Sequence, residues 1–297
     1  MKTVNAICAN AGLGYLTAFI SLFATGLTHA ANENVPNPTG KIFVAETDGA
    51  STIQIDDKIV DLTPKSVHLA TGSILETKPN ASLAIVYSNG TGVSLEPDTQ
   101  LQIVQFQQAP FPPNRTDLEL EPSISTTQAL LMRGVLGIST SKLAAGTTMN
   151  YQTRHINVAI HAGKVVIETN DKKTTVSVLE GNTTLRDRSM PGGQSLIVGQ
   201  QADITRTSSF EQPIITIRQI SENEQQGLDQ KAALASMARR TVYFEVADRN
   251  NAASRPQNVF NRSELEEDIL IPVTVLPGTI PGPNTVSPFR ITRTVIR

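Results

Sequence analysis

The stretch that decides the fold runs from Gly72 to Phe106, GSILETKPNASLAIVYSNGTGVSLEPDTQLQIVQF. Short apolar runs alternate in it with Pro79-Asn80, Asn89-Gly90 and Pro97-Asp98. An Asn-Gly pair between β-rich runs is the strongest local hairpin signal, because both central positions of a type I′ turn need positive φ. The stretch therefore predicts strand, tight turn, strand. A two-residue turn at Asn89-Gly90 pairs Val86 with Val93 and Ala84 with Leu95 on one face. Leu83, Ile85 and Tyr87 then lie on the other face, opposite Glu96, Ser94 and Gly92. The first of these strands is apolar on both faces, which places it centrally in the β structure.

Working outward, residues 41–220 read almost wholly as strands. Upstream lie Lys41–Glu46, Thr52–Ile55 and Lys58–Leu62, separated by Asp48-Gly49 and Asp56-Asp57. Within the quoted stretch the runs are Ser82–Ser88, Thr91–Leu95 and Gln100–Phe106. Downstream come Leu130–Ser139, Thr148–Thr153, His155–Ile160, Lys164–Thr169, Thr174–Glu180, Thr183–Arg186, Ser195–Val198, Ala202–Arg206 and Ile214–Ile220. Turn signals recur roughly every 8–12 residues, which favours a sandwich, barrel or solenoid over βαβ units. No exact repeat is visible. Alternation marks one buried face: Ile156, Val158 and Ile160 point one way, His155, Asn157, Ala159 and His161 the other. Likewise Val176 and Val178 share a face with Thr174 and Glu180. The expected fold class is all-β, a solenoid-like or rolled and sandwiched β domain over residues 31–220, with one C-terminal helix and a Pro-rich tail.

Residues 107–127 (QQAPFPPNRTDLELEPSISTT) interrupt the strands. Pro110, Pro112 and Pro113 forbid a central strand, so this is a long excursion from the β core and a place for a specific contact. The helix falls at residues 221–240. Ser221 as N-cap with Glu224 three residues on forms a capping box, and Arg239-Arg240 suit the C-terminal end of the dipole. Leu228, Ala232, Ala235 and Met237 make a weak apolar stripe, so the expectation is an exposed helical linker. Residues 241–297 open with a strand at Val242–Val246. A polar segment follows, and then a stretch carrying Pro272, Pro277, Pro281, Pro283 and Pro288, extended and without a core of its own. Arg290 to Arg297 alternate enough to add to a sheet edge.

The first thirty residues read as an export leader. Lys2 gives a positive start, Leu13 to Leu27 is apolar and uncharged, and Thr28-His29-Ala30 offers a cleavage site after Ala30. The apolar run is about fifteen residues, short of the ~20 that a membrane span needs, so no transmembrane span is expected after cleavage. The sole cysteine, Cys8, lies inside the leader, which removes disulfides, thiol catalysis and Cys-ligated metals from the mature chain. Beyond residue 30 there are 24 basic and 27 acidic residues, a net charge of −3. That is no field for nucleic acid or anionic lipid. The expected location is periplasmic or secreted.

From about Gly40 to Thr207 the chain resembles the FecR-type domain family of bacteria. A Gly-led opening, GKIFVAETDGA, precedes a stretch in which Gly72, Thr77, Ser82, Asn89, Gly90, Val93, Leu95 and Leu101 occupy the family's places. Val176, Val178, Glu180 and Gly181 fit a later strand, and Gly193-Gln194 a Gly-Gln step. His161-Ala162-Gly163 stands where many members show Arg-Gly-Thr. The family's best-known members span the inner membrane and control a sigma factor from a cytoplasmic portion, whereas this chain opens on a leader. The resemblance implies an extracytoplasmic, mostly β interaction domain.

Convergent chemistry is not visible in the sequence, and neither catalytic, cofactor nor metal residues are expected. No G-x-S-x-G elbow occurs, and Ser195 in GGQSLIV reads as a turn into a strand. His155 and His161, six apart on one face of a strand, are ~20 Å apart and cannot share a metal or a substrate atom. His68 is isolated. Asp56-Asp57 is a turn, and Glu266-Glu267-Asp268 a solvated run. No calcium-loop or phosphate-loop pattern occurs. Five sequons, at Asn80, Asn89, Asn114, Asn182 and Asn261, fit polar β turns. The leading expectation is a non-catalytic envelope protein that binds another envelope protein, with strand addition as the mode. Alternatives are a cell-wall or glycan-binding module, for which aromatic platforms are scarce, a signal-sensing regulator acting through a separate membrane partner, and a hydrolase on an unfamiliar fold.

Overall fold

The computed structural model describes residues 40–111, 119–206, 211–246 and 270–274. The expected leader, the lead-in that follows it, the tip of the excursion at 112–118, residues 247–269 with their acidic run, and the Pro-rich stretch from 275 onward lie outside the described residues.

The described chain builds strands in sequence: β1 (Lys41–Asp48), β2 (Ser51–Ile55), β3 (Lys58–Asp61), β4 (Val67–Leu69), β5 (Ile74–Thr77), β6 (Ser82–Tyr87), β7 (Gly92–Leu95) and β8 (Gln100–Gln108). The long strands β9 (Ser125–Ser139), β11 (Asn157–Thr169) and β12 (Lys173–Asp187) follow, interleaved with β10 (Thr148–Gln152). Then come β13 (Met190–Ile197), β14 (Gln200–Thr205), β15 (Ile214–Gln219), helix α1 (Glu222–Thr241), and a separate pair, β16 (Val242–Val246) with β17 (Leu270–Thr274). Strands β4 and β5 had no counterpart in the sequence reading; at three and four residues they offer too little alternation to read.

The first fifteen strands form one open sheet folded into two layers. A far layer runs β3-β2-β5-β8-β9-β10-β11-β12-β13, and a near layer runs β4-β1-β6-β7-β9-β11-β12-β14-β15. Only β9, β11 and β12 belong to both. Each crosses from one layer to the other at a glycine with positive φ: Gly134 at 97°, Gly163 at 102° and Gly181 at 77°. Gly163 and Gly181 face each other across β11 and β12. A Cβ on Gly163 would lie 2.0 Å from the Glu180 carbonyl oxygen, and one on Gly181 would lie 2.1 Å from that of Ala162. Two strands turning the same corner leave no room for a side chain between them.

This corrects the sequence reading, which ended strands at Ile160 and Glu180 and began new ones at Lys164 and Thr183. The glycines are bends within continuous strands. Bulges flank them: His161 has no partner in the β11–β12 register, nor has Leu179. The extra residue reverses the alternation. Glu180 therefore leaves the face it was expected to share with Val176 and Val178, and pairs with Lys164 at 2.8 Å instead.

The quoted hairpin is also one residue out of the expected register. Val86 opposes Gly92, Ile85 opposes Val93, Ala84 opposes Ser94 and Leu83 opposes Leu95. Only Gly90 has positive φ (86°); its N–H donates to the Tyr87 carbonyl at 2.8 Å, and the Tyr87 N–H donates to Thr91 at 2.9 Å. The connection is thus a three-residue loop with a bulge, the next commonest hairpin solution after the two-residue turn. The slip exchanges the faces. Leu83, Ile85 and Tyr87 stack with Val93 and Leu95 toward the core, while Ala84, Val86, Gly92 and Ser94 turn to the other side of the layer. The central position of β6 stands, since it is sealed on both faces.

The core lies between the layers. Leu75, Leu101, Ile103, Phe106, Met149, Tyr151 and Val158 from the far layer meet Ile42, Val44, Leu83, Ile85, Tyr87, Leu136 and Val165 from the near one. Tyr87 and Phe106 pack edge to face with centroids 4.8 Å apart. Ile156, Val158 and Ile160 are buried as their alternation required. With no disulfide, this burial carries the stability.

Candidate interaction surfaces

Helix α1 is not an exposed linker. It lies on the near layer, across β6, β7, β9, β11 and β12. Its buried residues are Ala232, Ala235 and Ala238, and the sheet beneath is equally small. A Cβ on Gly92 would lie 2.1 Å from the Ala235 carbonyl oxygen, and one on Gly137 2.3 Å from that of Lys231. Between them the Ser94 hydroxyl donates to the Lys231 carbonyl at 2.8 Å. Helix and sheet backbones meet without intervening side chains, which only Gly, Ser and Ala permit. Met237, expected in the apolar stripe, is exposed.

The ends of the helix are fixed separately. At its start Glu224 accepts from the Ser221 N–H at 3.2 Å and receives Arg218 through two bonds of 2.7 and 2.6 Å. Arg218 first, then Ser221, hold the Glu224 carboxyl down to about 2. At its end Ala238, Val242 and Phe244 join Phe43, Ala84, Val86 and Phe111 in a second apolar cluster. Beside the N-terminal half runs a groove of about 250 Å³ lined by Val166, Glu168, Ser177, Gln201, Leu228 and Lys231 among others.

The excursion between β8 and β9 is tied at its neck. The Ala109 N–H donates to the Ile124 carbonyl at 2.9 Å, and Phe111 is buried in the cluster just described. Glu121 is buried and ionisable, yet satisfied. Its carboxylate accepts from Asn89 Nδ2 at 3.1 Å, Ser125 Oγ at 2.6 Å, the Ala144 N–H at 2.8 Å and Thr147 Oγ1 at 2.6 Å. Four donors on one carboxylate make a clamp that joins the hairpin loop, the excursion and the β9–β10 connection. Nothing in the sequence marks Glu121, because its partners come from separate segments: the hairpin loop, the start of β9 and the β9–β10 connection. Asn89 is wholly buried in this clamp, so its sequon does not mark a surface loop.

The polar residues singled out in the sequence do not converge. The His155 ring is buried, with Nδ1 2.9 Å from Thr174 Oγ1, while His161 is exposed and its Nε2 lies 2.9 Å from Thr184 Oγ1. His68 sits on β4, bonded to Ser66. Asp56-Asp57 forms the turn between β2 and β3, Gly192-Gly193 and Ser195 lie in β13, Asn80 is the positive-φ residue of a turn, and Asn182 is exposed on β12. Among the described residues no three His, Cys, Asp or Glu side chains gather to hold a metal, and no helix is long and apolar enough to cross a membrane.

What the fold does present is edges. Among the described residues β3, β4, β13 and β15 each pair on one side only. Strand β15 exposes Ile214 and Ile217 on a six-residue ladder with β14, and Arg218 ties it to the helix.

Several of the residues that carry the sequence resemblance have structural duties here. Gly72 has a φ of 82°. The Thr77 hydroxyl accepts the Thr99 N–H at 3.0 Å and donates to the Glu96 carbonyl at 2.6 Å, closing the Pro97-Asp98 turn. The family model described as FecR protein matches residues 73–183, from β5 into the far half of β12. The chain carries a FecR domain. The FecR match is narrower than residues 40–207, and α1, β13, β14 and β15 lie beyond it. Among solved structures, two crystal structures of a candidate anti-sigma factor from Parabacteroides distasonis, at 1.65 and 2.50 Å, are similar at 14% and 15% identity with a TM-score of 0.35. Each alignment covers 49% of this chain and 59% of the other. No curated protein matches.

Proposed function

We propose that the protein is a non-catalytic regulatory module of the bacterial envelope, exported by its leader, that carries a FecR domain and binds another envelope protein by strand addition at β15, beyond the matched residues. The free edge of β15 carries the reading. Among the described residues its backbone is ordered by β14 on one side and meets no strand on the other, and its side chains Ile214 and Ile217 are exposed. Such an edge is a template for an incoming strand, with main-chain bonds for affinity and side-chain pockets for specificity. The Arg218–Glu224 pair couples this edge to the start of α1, so a strand added there acts directly on the helix seat. The FecR match supports a regulatory role for the protein as a whole; a separate membrane partner would relay the contact at β15.

A photo-crosslinking residue at Ile217, compared with one at Gln128 on the opposite layer, tests the reading in the producing cell. A discrete adduct from position 217 that disappears in Ile214→Lys, with an unchanged melting temperature, is the expected result. Adducts from neither position, or adducts indifferent to Ile214→Lys, refute strand addition at this edge. Purified protein from the envelope fraction should begin at Ala31.

A further inference from the structure

The outer face of the far layer differs from that of the near layer. The registers place side chains of adjacent strands in transverse rows. One row reads Gln54, Ile74, Gln102, Leu130, Gln152, Asn157, from β2 to β11. The next reads Gln105, Gln128, Asn150, Ala159, Thr184, Ser195, from β8 to β13. Each row spans six strands, or roughly 24 Å at the ordinary strand spacing. Neither contains a charged residue over its six strands; Arg186 on β12 follows Asn157 at the end of the first row, and Glu76 with Arg133 stands at the margin. The near layer, by contrast, is crossed by α1 and its ion pairs with β11.

We infer that this face binds an extended, neutral, β-1,4-linked polysaccharide laid across the strands. The partner follows from the chemistry. Each amide offers two donors and an acceptor, and each hydroxyl both roles, without charge. Side by side they match vicinal sugar hydroxyls. Strand spacing is comparable with the advance of one sugar in an extended β-1,4 chain, so successive strands meet successive sugars. In the first row Ile74 and Leu130 alternate with amides, which suits a ring presenting hydroxyls at its edge and C–H groups on its face. Anions find no cation on these rows. A protein partner wants aromatic, Met or Arg anchors at its centre; every described aromatic ring is buried, and Met132, Arg133 and Arg186 are exposed beside the rows rather than within them. The scarcity of rings that weighed against a sugar platform therefore makes this a hydrogen-bonding surface, weak per sugar and dependent on chain length. One polar atom already lacks a partner here: Asn157 Oδ1 is buried with none.

Sedimentation of the purified full chain with insoluble cellulose or chitin, and calorimetry with the corresponding soluble hexasaccharides, test the inference. Binding should strengthen with oligosaccharide length and be indifferent to salt. Gln128→Ala with Asn150→Ala and Gln152→Ala should weaken it about tenfold or more, as loss of several modest hydrogen bonds implies. Gln226→Ala on the helix should leave it unchanged. If the triple variant fails to fold, Gln128→Glu alone, on an exposed side chain, serves instead. Protein remaining in the supernatant overturns the inference, as does binding abolished by salt or retained in the variants. Dimers in gel filtration that the triple variant dissolves would show a second copy on this face and also overturn it. Loss of crosslinking at β15 leaves it standing, since the surfaces are on opposite layers.

Discussion

Gly137→Ala tests whether the helix seat is as tight as its geometry states. Neither Gly137 nor Gly92 has positive φ, so alanine meets no backbone penalty at either. From chain entropy alone the substitution stabilises by ~0.4–1 kcal/mol. The seat predicts the reverse. The new Cβ lies 2.3 Å from the Lys231 carbonyl oxygen, 2.5 Å from Ser94 Oγ and 2.8 Å from Ala232 Cα. Two of these three atoms are helix backbone, so α1 must retreat by roughly 1 Å, a gap that forfeits a quarter to a half of each contact's attraction. Overpacking of this kind costs ~1–3 kcal/mol, and stretching the Ser94–Lys231 bond adds ~0.5–1.5 kcal/mol. The net expectation is a loss of ~1–4 kcal/mol. For a body of this size that is a fall in melting temperature of roughly 3–12 °C. Thermal denaturation followed by circular dichroism reads it, and hydrogen exchange should show lost protection in residues 228–241. Gly227→Ala is the control: nothing lies within 4 Å of its Cβ, and helix propensity should raise stability by up to ~1 kcal/mol. A melting temperature for Gly137→Ala equal to or above the parent's would refute the close approach of helix and sheet.

Four further outcomes follow from the same structure. Thr77→Val removes the hydroxyl that serves Thr99 and Glu96 and should cost ~1–3 kcal/mol, whereas Thr77→Ser should restore most of it in a urea titration. Glu121→Ala removes the acceptor of Ser125, Thr147 and the Ala144 N–H and leaves Asn89 Nδ2 only its bond to Ser125; limited proteolysis should then cut the 109–124 connection faster, while Glu121→Gln gives an intermediate rate. Gly163→Ala forces a side chain against the Glu180 carbonyl at positive φ and should abolish soluble expression. Stability should also depend on pH through His155. Burial holds its pKa below the ordinary value, against which the Asp171 backbone works only in part. The unfolded chain therefore binds the extra proton, so stability is complete above about pH 6.5 and falls as the pH drops below it. His155→Gln should reduce that slope, leaving the share due to His68, whose pKa burial also lowers.

How much of this was legible in the chain differs by feature. Fold class, the strand at Val242–Val246 and the helix were legible because each rests on local periodicity or capping. Face was less secure. One residue in the loop length at Asn89-Gly90 reverses which side of β6 and β7 meets the core, and both faces of β6 are apolar, so the pattern of β6 does not choose. The pattern of β7 does: Gly92 and Ser94 on one side against Val93 and Leu95 on the other are a helix seat and a core face. The same signal recurs at Gly137 and in the alanines of α1. Small residues in register on two elements are the readable sign of backbone contact, and weak hydrophobicity in α1 reflects that contact rather than exposure. The corners at Gly163 and Gly181 were misread for a related reason. A glycine with positive φ looks alike in sequence whether the chain reverses or merely bends; only the partner glycine across the strand distinguishes them. The Glu121 clamp had no local signature at all.

The two layers show why such a fold suits recognition. Three strands shared between layers make the core continuous, so neither outer face is needed for the main burial. The near face is then free to take α1 through small residues, and the far face to carry amides that contribute nothing to the core. Each half of β9 illustrates the division. Before Gly134 its outward residues are Thr126, Gln128, Leu130 and Met132; beyond it Gly137 meets the helix. Exchanging the two outward patterns tests the separation. Gln128→Gly should leave the helix seat untouched and be nearly silent in the melting temperature beyond the ~1 kcal/mol typical of a glycine in a strand. Gly137→Gln should dislodge the helix and lower the melting temperature by more than Gly137→Ala. Equal effects of the two would mean that the faces are energetically coupled through the core, and that a ligand on either one is felt by the other.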